Sequence, residues 1–309
     1  MRIAIVHHYW DFPEVAYMMP RALARRGHEV SALAWSGNRG RALIHNEGHG
    51  FRVLSMPAIN FAPPFSGFVY PALLGFDAAI DSLQPDLVDC QSHLFPTVHQ
   101  SVGAARRLGI PMVITANGIM APRNLVIDAA QRIYLLTAAS SAFRSAAAVR
   151  CLTQSDALEA MACGCPRGRI RVIPNGVDTS LFSMPSSRGG SKKVAWSGRF
   201  VAEKDVRTLI KAASYVLKRH PDAKFILAGD GPTRPEAIGL AASLGILSSI
   251  EFPGAMRHSQ LAAMLKTSSI FAFPSLKEGM PFSLLEAMSC GNPVVGSDIP
   301  GISSVVTPG

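Results

Sequence analysis

The chain has 309 residues, 48% of them hydrophobic, which excludes a disordered protein and fits about two globular domains. Its formal charge of +9 comes without a run of five or six basic residues or aromatic interleaving, which argues against nucleic acid and for phosphate-bearing substrates or an anionic membrane surface. Five cysteines, Cys90, Cys151, Cys163, Cys165 and Cys290, show no Cys-x2-Cys spacing, so free thiols are expected rather than a metal set or a redox pair.

Met1-Arg2-Ile3-Ala4-Ile5-Val6 reads directly as a first strand, with no charged start, apolar core and cleavage site, so a cytoplasmic protein is expected. Apolar β-prone runs fall at 3–6, 29–34, 87–90, 112–115, 194–197, 225–228, 250–252 and 270–273. They alternate with helical patterns such as 206–219 and 259–266, an alternation that implies parallel sheets. The composition of 183–191, Met-Pro-Ser-Ser-Arg-Gly-Gly-Ser within it, is that of a linker, and divides the chain into domains 1–183 and 184–309. No internal repeat is visible. Pro20 falls inside the expected first helix, where it would shift the start or introduce a kink. The segment 53–76 carries no charge, four prolines and the aromatics Phe61, Phe65, Phe68 and Tyr70. It is too broken to span a membrane and is expected as a loop and short helix on the core, with a membrane-dipping surface as the alternative.

The most informative stretch is Pro274-Ser275-Leu276-Lys277-Glu278-Gly279-Met280-Pro281-Phe282-Ser283-Leu284-Leu285-Glu286-Ala287-Met288. Pro281 suits the first position of a helix, and Gly291 with Pro293 ends it, so the helix is expected over 281–290. Glu286 then lies in the second turn, and Glu278 in the loop ahead of the free N–H groups that favour an anion. A phosphate at the helix start, one carboxylate beside the group it carries and another on a neutral hydroxyl is the layout of a sugar nucleotide. In Val194-Ala195-Trp196-Ser197-Gly198-Arg199-Phe200-Val201-Ala202-Glu203-Lys204, a glycine and two cations directly follow a strand, and both cations can meet phosphate. Gly229-Asp230-Gly231-Pro232 is a tight turn after the next strand. His258 is expected as a helix-start residue, and no His/Cys/Asp cluster has metal-ligand spacing.

Arg199 with Lys204, Ile173-Pro174-Asn175-Gly176-Val177-Asp178, Gly229-Asp230-Gly231-Pro232, and Glu278 to Glu286 followed by Ala287-Met288-Ser289-Cys290-Gly291-Asn292-Pro293 occur in order, and together they resemble the family 4 retaining glycosyltransferases. The resemblance implies the GT-B architecture: two Rossmann-like α/β domains with a central cleft, the first binding the acceptor and the second the nucleotide sugar. It also implies transfer of a hexose from a UDP- or GDP-sugar to a glycan or lipid-linked acceptor without a cofactor or bound metal. Arg199 and Lys204, with Gly198, would hold the diphosphate, Glu278 would be catalytic beside the transferred sugar, and Glu286 would take the ribose. The backbone of Gly279, Met280, Pro281 and Phe282 would meet sugar and phosphate, and Asn117 and His93 would lie on the acceptor and sugar side. Peripheral contact with the inner membrane face is the accompanying expectation for location.

The chain departs from the family pattern at three places. Thr115-Ala116-Asn117-Gly118 stands where members often carry His-Gly, and Asn117 can hydrogen-bond but cannot act as a base. His7-His8-Tyr9-Trp10-Asp11-Phe12-Pro13 replaces a glycine-rich loop, and the sequence ends at Gly309, where the family continues, so the second domain is expected to lack its last layer. A catalytically impaired nucleotide-sugar-binding or scaffolding protein, and a sugar-nucleotide epimerase on the same fold, are the alternatives.

Overall fold

The computed structural model describes residues 1–7, 13–35, 43–48, 50–61, 70–119, 125–187, 190 and 192–307. They form two compact units, Met1–Pro174 and Asn175–Gly309. The boundary lies ahead of the expected 183/184 because Phe182 is fully buried in the second core, with Val177 and Leu181 packed against it. The residues before the linker-like stretch therefore belong to the second unit.

The first unit runs β1 (Arg2–His7), α1 (Pro13–Arg25), β2 (Glu29–Trp35), β3 (Leu43–Gly48), β4 (Phe51–Met56), β5 (Ala58–Phe61), β6 (Tyr70–Leu73), α2 (Phe76–Leu83), β7 (Leu87–Cys90), α3 (Pro96–Leu108), β8 (Met112–Ala116), α4 (Leu125–Tyr134), α5 (Ser140–Ser145), β9 (Ala148–Cys151), α6 (Gln154–Ala162) and β10 (Ile170–Val172). Five residues wound as a π-helix, Leu135–Ala139, join α4 to α5. The main sheet has the order β10-β9-β8-β7-β1-β2-β4-β3 and is parallel except for β3, which runs antiparallel to β4. Both faces are covered, as a parallel sheet requires: Ile3 and Ile5 pack with Val30, Ala32 and Phe51, while Ala4 and Val6 pack with Leu33, Ile80 and Val98. Thr153 and Asp156 form a reciprocal capping box that starts α6.

One local expectation is corrected here. The described part of the segment 53–76 is mainly strand rather than a loop and short helix: it completes β4 and forms the antiparallel pair β5-β6, because its β-prone residues find strand partners. Phe65 and Phe68 lie outside the described residues. Of the two outcomes expected for Pro20, the shifted start does not occur: α1 begins at Pro13, and Pro20 sits buried within it.

The second unit runs β11 (Lys193–Ser197), α7 (Val206–Arg219), β12 (Lys224–Ala228), α8 (Arg234–Ser243), β13 (Ile250–Gly254), α9 (His258–Lys266), β14 (Ile270–Phe273), α10 (Phe282–Ser289), β15 (Val294–Gly296) and α11 (Pro300–Ser303). All five strands are parallel in the order β13-β12-β11-β14-β15. Aromatic side chains fill its core: Trp196 meets Phe200 edge-on with centroids 4.9 Å apart, and Phe271 stacks on Phe273 at 5.6 Å. The five cysteines are buried and free. No described helix is long and apolar enough to cross a membrane.

Candidate active site

The second sheet reverses its order between β11 and β14, since the chain moves outward from β11 through β12 to β13 and then returns to β14 on β11's other side. At such a switch point the loops leaving the two central strands part, and their carboxyl ends open a crevice for a ligand. The loop after β11 carries Gly198, Arg199 and Lys204, and the loop after β14 carries Glu278, Gly279 and Met280. The residues singled out by sequence spacing thus meet at one sheet edge.

The β11 loop is fixed from below. Gly198 N–H donates to the Ala228 carbonyl at 3.1 Å, Phe200 N–H to Asp230 at 2.8 Å, and Thr233 N–H to Phe200 at 3.0 Å. This contact needs Gly229, whose φ is +136° and whose place a Cβ could take only 1.8 Å from the Gly198 oxygen. A 3₁₀ turn, Ala202–Lys204, then presents Lys204, and Asp205 at φ +41° starts α7 by accepting from the Thr208 N–H and hydroxyl. Arg199 is exposed two residues past the strand.

Lys204 Nζ lies 2.5 Å from Glu278 Oε1, with 16% and 9% of the two side chains exposed, so the loops are joined by a largely buried ion pair. The ammonium also stands 5.1 Å from the Phe273 ring centroid. Leu276 N–H donates to the Glu203 carbonyl at 2.8 Å, a second tie between the same loops. Below Glu278, Gly301 approaches so closely that a Cβ there would lie 2.3 Å from the Glu278 backbone carbonyl oxygen. Asn175 donates its side-chain amide to the Met280 carbonyl at 2.9 Å and its backbone N–H to the Met280 sulfur at 3.2 Å.

The helix expected over 281–290 is Phe282–Ser289, and Pro281 is its N-cap rather than its first residue. With ψ at 128° it is extended, and its carbonyl accepts from Leu285; proline's fixed φ suits either place, and ψ decides between them. Glu286 falls in the second turn as expected and is 2% exposed. His258, at the first position of α9, brings Nε2 to 3.6 Å from Glu286 Oε1.

In the first unit the reversal lies between β1 and β7, and the loops after β7 and β8 hold His93 and Asn117. His93 is buried, with Nε2–H directed at the Ile119 carbonyl at 3.3 Å and its ring 5.9 Å from Phe143. Asn117 is exposed and donates its amide to the Gln91 carbonyl at 3.1 Å, so the two residues tie these loops together. On β7, burial raises the Asp89 carboxyl to about 7 against the opposing pull of Arg150, whose guanidinium donates to the carbonyls of Ile173 and Pro174. Residues 8–12, which follow β1, lie outside the described residues, and with them the expectation for His8 to Phe12.

Residues 14–181 match the family model described as Glycosyltransferase Family 4, and residues 180–309 the model described as Glycosyl transferases group 1. The chain belongs to glycosyltransferase family 4. Across its whole length this glycosyltransferase is 27% identical over 338 residues to glycogen synthase of Mycobacterium tuberculosis, covering 81% of that protein. Over 116 residues, 38% of the chain, it is 32% identical to alpha-D-kanosaminyltransferase of Streptomyces kanamyceticus, and the matched part spans 30% of that relative's length. The crystal structure of Anabaena HepE in complex with UDP-glucose superposes with a TM-score of 0.76 at 17% identity, covering 100% of this chain and 83% of that one. The fold is GT-B, with parallel sheets in two Rossmann-like domains.

Arg199, Lys204 and Glu278 of this glycosyltransferase stand in loops at the sheet edge where sequence spacing puts them, and Glu286 stands in the second turn of the following helix. The spacing gave Asn175 no role and treated His258 only as a helix start, which it is. Gly301, after a proline at a helix start, carried a weak signal of close backbone approach.

Proposed function

We propose that this glycosyltransferase moves a hexose, with retention of anomeric configuration and without a bound metal, from a UDP- or GDP-sugar to a hydroxyl of a glycan or lipid-linked acceptor. The observation that carries the proposal is the Lys204–Glu278 pair across the β11/β14 switch point, with buried Glu286 on the following helix. The donor diphosphate would lie over Gly198 and the start of α10, whose first N–H groups have no side-chain cap and favour an anion. Arg199 and Lys204 would neutralise its charge as it leaves, and Glu286 would accept from the ribose hydroxyls.

In the reaction the bond between the sugar's anomeric carbon and the diphosphate oxygen breaks. The acceptor oxygen bonds to that carbon on the same face, and the acceptor proton passes to the departing phosphate. Glu278, held by Lys204 at the sugar, would stabilise the positive charge that develops on the ring. HepE was solved with UDP-glucose, and this likeness in fold supports a nucleotide-sugar donor here. The acceptor side would be the loops of His93 and Asn117 in the first unit.

Glu278→Gln tests the assignment. Turnover, measured as nucleoside diphosphate released from the donor, should fall at least about 100-fold while donor affinity stays within about threefold, the mark of an interaction made mainly in the transition state. An unchanged turnover would remove Glu278 from the chemistry. A changed nucleotide sugar formed with no acceptor present would establish epimerisation in place of transfer.

A further inference from the structure

Glu286 is a carboxylate with 3% of its side chain exposed, and a group so placed keeps its orientation only if something charged or hydrogen-bonding fixes it. His258 reaches it from a different part of the sheet edge, the start of α9 after β13, whereas Glu286 belongs to the helix after β14. The separation of 3.6 Å is just beyond a hydrogen bond and within ion-pair range for a protonated imidazole, which is itself 17% exposed. Its place is fixed on two sides. The ring lies edge-on to Phe182 with centroids 5.6 Å apart at 74°, and the turn before it is closed by Gln260, whose side-chain oxygen accepts from the Arg257 N–H at 3.0 Å. Phe182 in turn accepts at its carbonyl a hydrogen bond from the Ser289 hydroxyl, on the same helix as Glu286.

We infer that His258 is a positioning residue for nucleotide binding: it holds the Glu286 carboxylate in the orientation that accepts from the ribose hydroxyls, and so sets the preference for ribose over deoxyribose. His258 has this role only if Glu286 is the ribose ligand proposed above. The Nε2 edge faces the carboxylate, so glutamine, whose amide reaches about as far as Nε2, should replace it, while asparagine, which reaches only as far as Nδ1, should not.

The experiment is titration calorimetry of the full chain with UDP and GDP and with their 2′-deoxy and 3′-deoxy counterparts. Wild type should bind the ribonucleotide of its preferred base about tenfold more tightly than the deoxy forms, the usual worth of a hydrogen bond to a charged group. His258→Asn should shrink that ratio below about threefold and leave deoxynucleotide affinity within about twofold. His258→Gln should restore the ratio. A full ratio in His258→Asn, or equal weakening of both nucleotides, overturns the inference. Should His258→Asn lose its cooperative melt, His258→Phe, which retains a ring against Phe182, gives the same comparison. A wild-type ratio near one overturns it too, and because that result needs no substitution it identifies the ribose role of Glu286 as the part that failed.

Discussion

Lys204 and Glu278 are each less than one-fifth exposed, so their pairing is a stability term as well as a functional one. Removing the lysine alone leaves a carboxylate short of its counter-charge, whereas neutralising both removes the demand. Lys204→Ala should cost about 1–3 kcal/mol in urea unfolding, and Lys204→Ala with Glu278→Gln should recover part of that loss. Additive losses would show that the pair is not coupled. Asp89 in the first unit makes a pH prediction. Its Oδ1 is buried with no hydrogen-bond partner among the described residues, and burial lifts the carboxyl to about 7. Between the ordinary carboxylate value near 4 and about 7 the folded state therefore binds more protons than the unfolded one, and stability falls as pH rises through that window and levels off above it. The fall is on the order of 2–4 kcal/mol. Asp89→Asn should flatten this part of the curve, and an unaltered slope in the variant would assign it to other groups.

Among the elements, the glycine turn after β12 limits how closely two loops can approach. A Cβ at residue 229 would overlap the Gly198 carbonyl, and the φ of +136° is itself strained for any other residue. Gly229→Ala should cost about 1–3 kcal/mol and weaken nucleotide binding, because displacement of Gly198 moves Arg199 with it. Retained stability and binding would show that the loop tolerates the shift. The turn carries this information in sequence only as a weak motif, since nothing local says which carbonyl it must pass. Most of the central strands were legible because strands buried on both faces read as apolar runs, as at Ile3, Phe225 and Phe271. The pair β5-β6, the antiparallel β3 and the three-residue β10 and β15 were not, being short, proline-marked or at sheet edges, where pairing rather than apolar content defines them, and the interior β4 and β9 were missed because Arg52 and Arg150 interrupt their apolar runs.

Taken whole, the molecule is two units with separate cores, each built on a mainly or wholly parallel sheet with its loops of interest at the carboxyl edge. In the second unit the proposed donor residues were readable in sequence because each follows a recognisable strand or starts a recognisable helix. The contacts of His258 with Glu286 and of Asn175 with Met280 were not, since each joins residues far apart in the chain through the tertiary fold alone. The Lys204–Glu278 edge of the second unit is the proposed seat of the nucleotide diphosphate. That assignment is tested most directly by thermal unfolding of wild type and Lys204→Ala with UDP, GDP and their sugars, and with ADP and NAD as controls. Ligand at 100 times its dissociation constant stabilises the unit that binds it by about 2.7 kcal/mol. A rise of several degrees is expected with one of the UDP or GDP families and little with ADP or NAD, largely lost in Lys204→Ala. A cooperatively melting wild type that none of these ligands shifts, or an equal shift in Lys204→Ala, would contradict it.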